Sequence, residues 1–161
     1  MKKIASVLIA VLFASMLVFT ACSGSSGTVT GEIPPVSEIW TKVKEAYGFG
    51  EMALVPTRDY LDIYGIDSNK LAESVWYMSE NSATNADEVV IMKAADSSYV
   101  DTLSKLLKER VDSQINVCKK YSPEQAAKLE KTEVVTAGDY VYFCVGDNYD
   151  AMMSVFRSIF K

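Results

Sequence analysis

Between residues 98 and 120 the apolar side chains Val100, Leu103, Leu107, Val111 and Cys118 recur at spacings of three, four or seven, which marks one long amphipathic helix. A stripe of that length needs a flat apolar surface to lie on, and a sheet is the element that offers one. The preceding sequence supplies strands for it. Glu73 to Ser79 contains Val75, Trp76, Tyr77 and Met78, and Glu88 to Ala94 contains Val89, Val90, Ile91 and Met92; both runs are of strand length and rich in β-branched or large side chains. The polar segment Glu80 to Asp87 joins them as a hairpin, and Asp96 or Ser97 is placed to cap the long helix.

The other elements follow from caps and breakers. Ser37 is placed as N-cap of a first helix carrying Ile39, Trp40, Val43 and Tyr47, which Gly48 ends. Phe49 to Pro56 reads as irregular; Thr57 then caps a short helix that buries Tyr60, Leu61 and Tyr64 and stops at Gly65. Ser122-Pro123-Glu124-Gln125 has the form of a capping box with proline at the first helical position. Glu133 to Thr136 and Tyr140 to Val145 alternate around Gly138-Asp139, a hairpin turn. Asp147 or Asn148 opens a final helix with Met152, Val155, Phe156 and Ile159. The order α-α-β-β-α-α-β-β-α predicts an α+β domain: an antiparallel sheet of about four strands, in two hairpins, covered by helices on one side. The two ββα halves suggest internal pseudo-symmetry.

The start of the chain reads as an address. Met1-Lys2-Lys3 precedes an apolar stretch from Ile4 to Phe19, interrupted only by Ser6 and Ser15. It ends at Phe19-Thr20-Ala21-Cys22, which resembles a lipobox, with phenylalanine where leucine is usual. Residues 1–21 are thus expected to be a removable lipoprotein signal. Cys22 is expected to carry diacylglycerol and to anchor the chain at the outer face of the cytoplasmic membrane. Ser23 to Thr28 is a small polar run suited to a tether. Residues 22–36 form the anchor and tether, and residues 37–161 form a single domain, in keeping with 161 residues of which 49% are hydrophobic.

Composition excludes more than it assigns. Without Lys2 and Lys3, 14 basic side chains stand against 21 acidic ones, a formal net charge of −7. The longest basic cluster is the pair Lys119-Lys120, so nothing resembles a phosphate-neutralising stripe, and nucleic acid is not an expected partner. There is no histidine, which removes Ser-His-Asp triads, Cys-His pairs and the commonest zinc sites. No cofactor or metal site is read from the sequence.

Several residues remain as candidates for chemistry. Cys118 and Cys144 would lie in an oxidising compartment, and they read either as a disulfide joining the long helix to the last strand or as two separate buried thiols. The carboxylate pairs Asp59 with Asp62, Asp87 with Glu88, and Asp147 with Asp150 are the remaining route to acid/base catalysis. Each has a plainer reading, as a solvated helix face, a polar strand entry and a helix cap. Tyr77, Tyr121, Tyr140 and Tyr142 are candidates to present hydroxyls on an exposed face. Arg110 interrupts the apolar helix; it reads as the partner of Glu88 or another carboxylate in a structural ion pair, or as the receptor of an anionic ligand group.

Five short stretches in this order resemble one family. They are Tyr64-Gly65-Ile66-Asp67, Asp87-Glu88-Val89-Val90-Ile91-Met92-Lys93, Glu109-Arg110 with Gln114, Tyr121-Ser122-Pro123-Glu124, and Gly138-Asp139-Tyr140-Val141. Together they resemble the small lipoproteins of clostridia-type Gram-positive bacteria described as domain of unknown function 4358, over roughly residues 37–160. The resemblance implies a lipidated, surface-exposed setting and an α+β domain, and supplies no catalytic residues. The function expected is that of a non-enzymatic binding or accessory module for a peptide, glycan or protein of the envelope. The alternative is a small carboxylate-dependent hydrolase acting on cell-wall material.

Overall fold

The computed structural model describes residues 32–161. The expected leader 1–21, the lipidation candidate Cys22 and the expected tether up to Gly31 lie outside the described residues.

Five α-helices and five strands follow in the order α1 (Val36–Tyr47), β1 (Met52–Leu54), α2 (Tyr60–Tyr64), β2 (Leu71–Ser79), β3 (Glu88–Ala94), α3 (Val100–Tyr121), α4 (Pro123–Leu129), β4 (Val135–Ala137), β5 (Tyr140–Val145) and α5 (Tyr149–Ile159). The strands form one antiparallel sheet in the order β1-β2-β3-β5-β4. The sheet thus has five strands rather than four. The additional one, β1, comes from the stretch read as irregular. Its three residues pair with Tyr77 to Ser79, which is too short a run to show alternation.

Helices cover both faces of the sheet, not one. On one face Val90 and Met92 of β3 and Val141, Phe143 and Val145 of β5 pack with Leu103, Leu107 and Val111 of α3 and Leu129 of α4. On the other, Val89 and Ile91 of β3 and Tyr140, Tyr142 and Cys144 of β5 pack with Ile39, Trp40 and Val43 of α1 and Met152 and Phe156 of α5. Because successive side chains of a strand point to opposite faces, strands covered on both sides have to be apolar at nearly every position. That is why β3 and β5 are continuous hydrophobic runs. Each large side chain sealed here, such as Trp76 or Phe143 at 0% exposure, contributes about 1.5–3 kcal/mol by leaving water. Since α3 and α5 lie on opposite faces while β3 and β5 are antiparallel neighbours, no rotation relates the two ββα halves, and the suggested pseudo-symmetry is absent.

Local signals were used in unexpected ways. α1 starts at Val36 with Pro35, not Ser37, as N-cap; the Val36 N–H is taken by Glu73 Oε2 at 2.9 Å. Asp96 accepts from the Ser98 N–H at 2.8 Å and leads through a 3-10 turn into α3. The capping box does not form, because Ser122 both ends α3 and precedes α4 and its side chain bonds neither. Gln125 instead accepts from the Ala86 N–H at 2.9 Å and ties α4 to the β2–β3 loop. In α2, Tyr60 is buried, but Leu61 faces solvent. Gly138 has φ +57° and turns β4 into β5, a conformation that an L side chain rarely adopts.

Candidate functional site

The two acidic residues at the entry of β3 are both buried, contrary to their reading as a polar approach to the strand. Alternation sends Glu88 to the α3 side, toward Arg110 in the middle of that helix. Arg110 Nη2 donates to Glu88 Oε2 at 3.2 Å and Nε donates to Oε1 at 3.3 Å. The Trp76 indole N–H, from the neighbouring strand, also donates to Oε1. Arg110 is further held by aromatic faces, with its Cζ 4.6 Å from the Tyr64 ring centroid and 6.0 Å from that of Trp76. Gln114, one turn along α3, faces the guanidinium with its carboxamide. Oriented with oxygen inward, it accepts from Nη2 at 3.1 Å and from Nη1. Burial pushes the Glu88 carboxyl above its ordinary range, and the Arg110 charge, with the hydrogen bonds from Arg110 and Trp76, works against that rise.

A second cluster lies beside it at the same end of the sheet. Lys128 of α4 places its Nζ 2.8 Å from Asp87 Oδ1 and 3.1 Å from Asp147 Oδ1, so it joins the β2–β3 loop to the β5–α5 loop. Asn85 Nδ2 donates to Asp87 Oδ2 at 3.2 Å, and Tyr47 Oη accepts from the Asp147 N–H at 2.7 Å. Burial pulls the Lys128 ammonium down, but the hydrogen bonds and charges of Asp87 and Asp147 outweigh it, so the net shift is upward. Nothing in the sequence pointed to Lys128. It comes from a different element than either carboxylate and follows no spacing rule.

The remaining candidates scatter. Asp59 is half-buried and paired with Arg58, and Asp62 is exposed on α2. Asp150 stays exposed in the first turn of α5. Cys118 and Cys144 are free thiols that pack into the cores on opposite faces of the sheet. Tyr140 and Tyr142 are buried, 5% and 2% exposed, because both point toward α1 and α5, and Tyr77 is stacked on Trp40. Burial pushes the Tyr142 hydroxyl up to about 12.

Tyr121 is the tyrosine that reaches solvent, at 83% exposure, with Val117 one turn earlier at 50%. They border an open groove of about 560 Å³ along the outer face of α3, with Glu109, Asp112, Asn116 and Lys120 beside them. A second groove, of about 340 Å³, runs between β4 and the end of α5. Among the described residues no group of three or more cysteine or acidic side chains is placed to hold a metal ion, and no helix is long and apolar enough to cross a membrane.

Of the short stretches that carried the family resemblance, three meet in the first cluster: Tyr64, Glu88, and Arg110 with Gln114. The family model described as domain of unknown function (DUF4358) matches residues 45–146. That span holds both clusters apart from Asp147. No curated protein and no solved structure matches the chain.

Proposed function

Since the chain belongs to the DUF4358 family, whose description assigns no activity, we propose from its own residues that it is a non-enzymatic binding module. In this reading Cys22 holds it at the outer face of the cytoplasmic membrane, and the domain engages a peptide, glycan or protein partner of the cell envelope.

The observation that carries the reading is that the buried charged groups are closed on one another. Glu88 is bonded to Arg110 and Trp76, and Asp87 to Lys128 and Asn85. A carboxylate-dependent hydrolase needs two carboxylates facing a cavity with substrate between them. Here Asp87 and Asp147 meet instead at a lysine ammonium. What the molecule offers solvent on α3 is contact chemistry: an aromatic ring, a valine and the polar side chains of Ser113 and Asn116, with Glu109, Asp112 and Lys120 beside them on an open face rather than in an enclosed cavity.

The test is site-specific photo-crosslinking in intact cells, with the anchored full-length chain carrying the probe at position 117 or 121, or at exposed Ser154 of α5. Discrete adducts from 117 and 121 but not from 154 are expected. Adducts equal at all three positions, or cleavage of wall material that Asp87→Asn abolishes, would overturn the reading. For the anchor, Cys22→Ala is expected to release the protein from the membrane fraction.

A further inference from the structure

We draw no further inference here: the strongest candidate, the exposed apolar side chains of Leu54 on the edge strand β1 and of Leu61 and Ile63 on the α2 turn that follows it, carries no proposal because nothing in the structure shows what covers them.

Discussion

Glu88 and Arg110 are 22 positions apart, on a strand and on the helix that crosses it, and they close two hydrogen bonds of 3.2 and 3.3 Å with side chains 4% and 5% exposed. The pair sits where an apolar contact would be expected between sheet and helix. Its neighbours Trp76, Tyr64 and Gln114 supply a donor, a ring face and an acceptor. Such a pair brings little net stability over an apolar substitute, whereas a slip of α3 over β3 would leave a charge buried alone.

Removing one partner should therefore cost much more than removing both. Arg110→Met is expected to lose about 3–5 kcal/mol, read from urea midpoints, and Arg110→Met with Glu88→Gln to recover most of it. A double variant as unstable as the single one would show that the two charges do not act as a pair.

The same variant has a signed pH dependence. Burial raises the folded Glu88 carboxyl, so its contribution is complete below the unfolded value of about 4.3 and is lost as pH rises through the folded value. Without the guanidinium the folded value rises further. The deficit of Arg110→Met relative to wild type should then be small near pH 4 and grow toward pH 7. A deficit constant with pH would mean that Glu88 is not the group left behind.

Lys128 predicts an alkaline counterpart. Its folded pKa is raised, so its contribution is complete below the ordinary lysine value of about 10.4 and is lost as pH rises through the folded one. Wild type should show a loss of stability in that window that Lys128→Met lacks. At neutral pH, Lys128→Met strands buried Asp87 and should cost about 3 kcal/mol. Asp147→Asn should cost about 1 kcal/mol or less, because that side chain is 78% exposed. Equal costs from urea midpoints would contradict the assignment of Asp87 as the main partner.

Periodicity made the main elements legible. The stripe from Val100 to Val111 and the runs Val89–Met92 and Tyr140–Val145 each became the element they announced. The same two runs carried an unread message, since strands apolar at every position imply cover on both faces. β1 escaped because three residues show no period, and Leu61 faces solvent because α2 has a single turn with which to choose a face. Tertiary contacts decided the polar details. Gln125 has the spacing of a capping box, yet its oxygen serves Ala86 in another loop, and Asp87 is buried because Lys128, 41 positions away, reaches it.

Gly146 holds a contact that no spacing announced. A Cβ there would stand 2.8 Å from Met152 Cε and 3.0 Å from Tyr47 Cζ. The methionine end can move aside, but the Tyr47 ring is held by its bond from the Asp147 N–H. Gly146→Ala should cost about 1–3 kcal/mol, and Gly50→Ala, which meets nothing within 4 Å, should be near neutral. Equal thermal midpoints for the two would show that the Tyr47 ring gives way freely.

The cysteines test the two-faced architecture chemically. Burial pushes the Cys144 thiol up to about 12, so at pH 8 only on the order of one molecule in ten thousand carries the reactive thiolate there. Cys144 is also fully enclosed between the sheet and α5, whereas Cys118 is half-buried on α3 across the sheet. Iodoacetamide at pH 8, followed by peptide mapping, should modify Cys118 in the folded protein and leave Cys144 untouched until urea unfolds the domain. The map should be the same with and without reductant. A peptide pair linked through Cys118 and Cys144 would require both thiols on one face, and would contradict the arrangement in which β3 and β5 separate α3 from α5.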